Sequence, residues 1–262
     1  MIPTANILAW RSEHPWNSNA QVEQDLIITR AIIELFSNPL IREHLAFRGG
    51  TALHKLFLTP ASRYSEDIDL VQMQAGAIGP IIDAIRQCLD SWLGTPKRER
   101  SQGRITLTYR IDSEMPPVVP LKLKVEINTR EHFTVLGLVT KTLISHSPWF
   151  SGKADIPSFI LDELLATKLR ALYQRRKGRD LFDLWLGITQ GRADAKNIVD
   201  IFHQYLSHEN LRVSKAEFEQ NLNAKMTISG FLNDLAPLLR PGVSYDIKTA
   251  YEFIKSKIIK KM

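Results

Sequence analysis

The stretch 48-RGGTALHKLFLTPASRYSEDIDLV-71 decides how this chain is read. It opens on two glycines and a threonine and closes on Asp67-Ile68-Asp69. The segment "SEDIDLVQ" alternates polar and apolar residues at the period of a half-buried strand. Side chains of a strand alternate faces, so Asp67 and Asp69 share one face while Ile68 and Leu70 share the other. Two carboxylates side by side on such a strand repel each other, and they either raise a pKa or hold a cation. A hard divalent ion with oxygen ligands, Mg²⁺ above all, suits that pair. An Asp-x-Asp on a solvated strand would carry no such meaning, and the residues before it are what give it one.

Upstream, Gly49 and Gly50 let the backbone turn tightly and approach a ligand. The run "TALHKLFL" reads as a helix that stops before Pro60. The N–H groups at its start favour an anion. Thr51 and Lys55, four residues apart, place a hydroxyl and an ammonium on one helical face. A phosphate cradle followed by a metal-binding carboxylate pair is the combination that a triphosphate with Mg²⁺ requires. Ser65 stands two residues before Asp67 and reads as part of the same strand face. A phosphoryl group there would add about −1.5 to −2 charge beside the carboxylates.

A third carboxylate stands in 121-LKLKVEIN-128. Lys122, Lys124, Glu126 and Asn128 share one face of this strand, and Leu121, Leu123, Val125 and Ile127 the other. If the strand lies beside 66–71, Glu126 joins Asp67 and Asp69 as a metal ligand, an arrangement that two-metal phosphoryl transfer uses. Pairing with Lys124 or another neighbour on an exposed face is the other reading of Glu126.

Outward from these motifs the pattern changes once. Residues 19–36 and "IGPIIDAIRQCLDSWLG" carry apolar residues at helical spacing, and strand-like runs occupy 104–111, 119–128 and 133–144. After Pro157 the spacing is helical, over roughly 158–176, 179–189, 194–206, 214–236 and 246–260. The chain thus reads as α+β, with a mixed-sheet half over residues 1–150 that includes an N-terminal helix, and an all-helical half over 151–262. In the helical half, Ile160, Leu161, Leu164, Leu165, Leu169 and Leu172 form one stripe. Lys168 falls inside it. A buried ammonium costs free energy unless an anion meets it, and the reading here is a nucleotide phosphate, with an apolar replacement expected to fit the stripe. Asp180 and Asp183 lie three apart after the Gly178 break. Asp183 is placed to orient Lys168 or a sugar hydroxyl, and Asp180 reads equally as a helix-start carboxylate favoured by the dipole.

Composition sets the bounds. The 262 residues are 44% hydrophobic and 24% charged, with a formal net charge of +6. This balance permits a nucleic-acid partner. No apolar run reaches the roughly 18 residues of a membrane span, so no membrane partner is expected. Cys88 is the single cysteine; an intrachain disulfide and a cysteine-built zinc site are excluded, which fits a cytoplasmic protein. Two basic clusters stand out: 96-PKRERSQGR-104, read as a turn-like segment with Lys97, Arg98, Arg100 and Arg104, and 174-QRRKGR-179. Both read as a track for an RNA backbone or as solvated surface.

Taken in order, "FRGGTALHKLF…RYSEDIDLV", "KVEIN" and "LATKLRALYQRRKGRDLFDLW" resemble the AbiEii/AbiGii-type toxins of the nucleotidyltransferase superfamily, which include the MenT-like toxins. The likeness spans about residues 40–190. It implies a nucleotidyltransferase core with a helical C-terminal half. It also implies a toxin of a bacterial toxin–antitoxin or phage-defence system with a cognate antitoxin. The implied activity is Mg²⁺-dependent transfer of a nucleotide from an NTP to RNA, at the tRNA 3′ end in some members, which blocks translation. By position, Gly50 and Thr51, with Gly49 before them, match the glycine–hydroxyl turn, Asp67 and Asp69 the metal carboxylates, Lys168 the motif lysine and Asp183 the closing aspartate. The family more often has serine at the position of Thr51. Two other expectations stay open: a small-molecule nucleotidyltransferase of the antibiotic-modifying kind, and a catalytically silent RNA- or protein-binding module.

Overall fold

Helix α1 (Thr4–Glu13) precedes the helix announced by the apolar spacing after Asn19, α2 (Asn19–Ser37). Ser18 starts α2 with a capping box, its hydroxyl accepting from the Gln21 N–H while the Gln21 side chain returns to the Ser18 N–H, so two orphan donors are satisfied at once. A short helix, α3 (Pro39–His44), leads into strand β1 (Leu45–Arg48). Helix α4 (Gly49–Ala52) follows directly and runs on as a π-helical turn over Leu53–Phe57. Then come β2 (Asp67–Gln72), α5 (Gly79–Leu93), β3 (Lys97–Ser101), β4 (Arg104–Asp112), β5 (Pro120–Asn128), β6 (Leu138–His146) and β7 (Ser151–Phe159). The computed structural model describes residues 2–262.

The seven strands form one mixed sheet in the order β3-β4-β5-β2-β1-β7-β6. Strands β2 and β5 run parallel, as do β1 and β7, and the other neighbours are antiparallel. Ile68, Leu70, Leu123, Val125 and Phe47 are buried on one face. Helices α2 and α5 cover that face: the Phe36 and Phe47 rings lie 6.0 Å apart, and the Tyr109 hydroxyl of β4 donates to Asp90 of α5 at 2.9 Å. Strand alternation therefore turns Asp67 and Asp69 to the opposite face.

Two strands escape the sequence reading. The segment taken as a turn between residues 96 and 104 contains β3, an edge strand whose five residues are all exposed. A charged edge with no apolar alternation is how sheets avoid further pairing, and it erases the periodic signal. Strand β7 carries Pro157, read as the start of helical texture. Its partner there is Thr140 of β6, and a proline is tolerated where the ladder does not need its N–H. The sheet unit accordingly extends through Phe159, and a second unit comprises Thr134–Gly137 with Ile160–Met262.

That second unit is helical: α6 (Leu161–Gln174), α7 (Gly178–Thr189), α8 (Ala195–His208), α9 (Lys215–Lys225), α10 (Ser229–Leu232) and α11 (Ile247–Lys257). The run read as one helix over 214–236 is broken after Lys225. Fully buried Glu163 explains why residues 134–137 belong here. Its carboxylate accepts from the Thr134 hydroxyl, the Val135 and Leu136 N–H groups and the Tyr205 hydroxyl, all at 2.8–2.9 Å. Four donors hold a buried charge that would otherwise be costly.

Candidate active site

The first unit brings the glycine turn and the carboxylate pair into contact. Gly49 has φ of +81°, a conformation that costs an L side chain about 1–2 kcal/mol. A Cβ on Gly49 would lie 2.0 Å from Asp69 Oδ2, and one on Gly50 would lie 2.5 Å from Arg63 Nη2 and 3.0 Å from Ser65 Oγ. Gly49 is thus required by its φ and by close approach, and the turn is pressed against the second carboxylate on one side and the tip of a buried guanidinium on the other. Thr51, 1% exposed, donates to the Asp67 carbonyl oxygen at 2.5 Å and lies 2.9 Å from Ser65 Oγ. Its hydroxyl staples the turn to the start of β2. Ser65 precedes that strand and does not belong to it.

Asp67 and Asp69 share a face, as alternation requires, and their neighbours on β5 are Lys124 and Glu126 respectively. The Asp67 carboxyl is pushed up to about 6, first by burial and then by the Asp69 charge, with Lys124 opposing and Glu66 and Glu126 adding. Loss of water around the carboxylate leads this shift, and the neighbouring negative charges add to it. Glu126 lies on the same face, but its carboxylate is 3.3 Å from Arg104 Nη1. Among the described residues no three acidic, histidine or cysteine side chains converge on one ion position. The donor set that fits a divalent cation is therefore Asp67 with Asp69, two hard carboxylates, leaving other positions for water and phosphate oxygens as Mg²⁺ prefers.

The Thr51–Lys55 phosphate face is corrected. Lys55 Nζ lies 2.8 Å from Asp25 Oδ1 and 2.8 Å from Thr29 Oγ1 of α2. The ammonium is taken up by a carboxylate and a hydroxyl of the protein itself, so it is not left facing the glycine turn for a phosphate. Burial works against ionised Asp25, yet Lys55 and His14 more than offset it and its carboxyl stays below the usual range.

In the second unit Lys168 is buried as its stripe position implied, 6% exposed. Its anions belong to the protein: Asp183 Oδ2 at 2.9 Å and Asp180 Oδ1 at 3.4 Å. Asp183 therefore does orient Lys168. Asp180 does stand in the first turn of α7, and it is also fully buried and gripped by Arg175 at 2.7 and 2.8 Å. Burial would raise its pKa, but Lys168 and Arg175 outweigh that and hold it low.

A family model described as "Nucleotidyl transferase AbiEii toxin, Type IV TA system" matches residues 30–252. The chain belongs to this AbiEii toxin family. The match takes in the turn, both carboxylates, β5 and the Lys168 cluster. Among solved structures, MenT4, a nucleotidyltransferase toxin from Mycobacterium tuberculosis H37Rv, superposes with a TM-score of 0.68 at 15% identity, covering 100% of this chain and 91% of that one. A putative nucleotidyltransferase from H. pylori gives a TM-score of 0.54 at 15% identity, covering 94% and 99%. Likeness at this identity speaks for the α+β nucleotidyltransferase fold. No curated protein sequence matches significantly. Membership implies a nucleotidyltransferase enzyme, an NTP substrate and an antitoxin partner. No helix among the described residues is long and apolar enough to cross a membrane.

One buried residue beside the turn was not singled out in the sequence. Arg63 is 2% exposed and its Nη1 donates to the Tyr64 carbonyl at 2.9 Å, which sets its charge behind the Gly50 turn. The available signal was an arginine between a proline-marked loop and the acidic strand; nothing in spacing alone tells a buried arginine from a loop one.

Proposed function

We propose that this chain transfers a nucleotide from an NTP to the 3′ end of an RNA in the cytoplasm, with tRNA acceptor ends as the target and a block of translation as the consequence. The observation that carries the reading is the carboxylate pair pressed against a glycine turn, in a chain of a nucleotidyltransferase toxin family. In this account Asp67 and Asp69 hold the divalent cation, Mg²⁺, which when bound neutralises triphosphate charge and polarises the reacting phosphate. Glu126, engaged by Arg104, stays outside the ligand set. The Gly49–Gly50 turn, held against Asp69 and Arg63, would offer backbone N–H groups to the triphosphate, and Arg63 adds fixed positive charge behind it. Lys168 and Asp183 act as a pair within the second unit, the carboxylate orienting the ammonium.

The RNA 3′-hydroxyl oxygen forms a bond to the α-phosphorus, the bond to the bridging oxygen breaks, pyrophosphate leaves with its electron pair, and the hydroxyl proton passes to solvent. The protein's part is positioning and charge stabilisation. The test is sequencing of cellular tRNA 3′ ends after expression of the wild type or of Asp67→Asn. Untemplated 3′ nucleotides in the wild type alone are expected; identical ends in both would remove the RNA acceptor from the account.

A further inference from the structure

The face of the sheet that bears Asp67 and Asp69 continues across β5, β4 and β3. Register fixes its occupants: Lys122, Lys124 and Glu126 on β5; Arg104, Thr106, Thr108, Arg110 and Asp112 on β4; Lys97 and Glu99 on β3. Of the carboxylates, Glu99 is bound by Lys97 at 2.8 Å and Glu126 is met by Arg104. Arg110, Lys122 and Lys124 remain with Asp112 at the strand end. Arg110 and Lys122 are exposed, and they are direct cross-strand partners. Like charges in that relation destabilise a sheet, so this pair contradicts the rules that build the fold. Such contradictions collect where function requires them. Lys124, two positions from Lys122, is the register partner of Asp67. From the strand repeat, Lys122 stands about 7 Å along β5 from Lys124, and Arg110 one strand farther at about 5 Å.

We propose that Arg110, Lys122 and Lys124 form the docking surface for the phosphate backbone of the RNA acceptor. The inference rests on the reading that the acceptor is RNA. Two arguments select a nucleic-acid strand: the charge is complementary to a polyanion, and the cluster is continuous with the carboxylates where the strand's 3′ end has to arrive. The same register removes part of the track read from sequence. Arg98 and Arg100 pair with Leu107 and Ile105, whose side chains are buried on the helix-covered face, so they point away from the carboxylates.

The test compares Arg110→Glu/Lys122→Glu with Arg98→Glu/Arg100→Glu, two double variants with the same change in net charge. Binding of a labelled single-stranded RNA is followed by anisotropy over a range of salt. Each phosphate contact contributes a slope of about −0.7, so the first variant is expected to lose affinity at low salt, by about tenfold or more, and to flatten the slope by about 1.4. The second keeps the wild-type slope. Arg110→Glu alone sets a carboxylate opposite Lys122, so RNA affinity falls while thermal stability holds or rises; a merely structural residue would lower both. Equal effects of the two double variants, an unchanged slope, or no RNA binding by the wild type would overturn the inference. So would displacement of RNA by an acidic peptide more readily than by competitor RNA, which would assign the face to a protein. Nucleotide transfer to RNA that ignores the cluster overturns this inference and leaves the proposed function standing. Cluster-dependent RNA binding by a protein that transfers nothing does the reverse.

Discussion

Replacing Asp67 by Asn separates what the carboxylate pair costs the fold from what it does. The folded-state value of about 6 stands against an ordinary 3.8. At 1.36 kcal/mol per unit the ionised carboxylate costs the fold about 3 kcal/mol. Below about pH 4 the group is protonated in both states and the cost is absent. Between about 4 and 6 the folded chain keeps a proton that the unfolded chain releases, so stability falls as pH rises. Above about 6 the whole cost is present. Asn at this position carries no charge at any pH. The stability of Asp67→Asn over the wild type should therefore grow from pH 4 to pH 7 by about 3 kcal/mol, which corresponds to roughly 6–12 °C in Tm for a domain of this size. The assay is urea unfolding followed by tryptophan fluorescence, in the presence of a chelator, at several pH values. Adding Mg²⁺ should stabilise the wild type by mass action and narrow the gap, with little effect on the variant. A difference between the two proteins that stays constant from pH 4 to pH 8 would refute the reasoning, because it would mean that Asp67 is neither desolvated nor repelled by Asp69.

Three further outcomes follow from the same geometry. Gly49→Ala should abolish transfer and cost at least 1–2 kcal/mol in urea unfolding, since its Cβ has no space beside Asp69 and its φ is positive; wild-type behaviour would show that the turn can move aside. Thr51→Val should lose about 1–3 kcal/mol through the unmet Asp67 carbonyl, whereas Thr51→Ser should unfold and react like the wild type, and equal behaviour of the two would deny the staple. Lys168→Met should destabilise by about 3–5 kcal/mol, because it strips a buried cation from two buried carboxylates. Adding Asp183→Asn should recover part of that loss, and a Lys168→Met protein as stable as the wild type would mean that the carboxylates do not depend on it.

The parts that were legible in sequence are those where a residue's neighbours lie within one element. The pairing of Asp67 with Asp69 on a face follows from period two. Lys168 inside an apolar stripe follows from 100° steps. The opposition of β5 to β2 was conditional in the sequence and is realised in the parallel register that sets Glu126 beside Asp69. What escaped depends on elements far apart in the chain. Asp25 claims Lys55 from 30 residues away, a contact that spacing within one helix does not reveal. The anion expected for Lys168 was one the sequence already held, in Asp180 and Asp183, but helix spacing alone does not orient one helix toward another. Strand β3 is written in charged residues, so its identity comes from β4 beside it and not from its own periodicity.

Transfer of label into RNA tests the central claim most directly. The protein is incubated with total RNA, Mg²⁺ and, in turn, each NTP labelled on the α- or the γ-phosphate, beside Asp69→Asn. The account predicts that α-label enters RNA, that γ-label leaves as pyrophosphate, and that the variant transfers neither. Label entering RNA from the γ-phosphate, or from the α-phosphate equally well with Asp69→Asn, would contradict it.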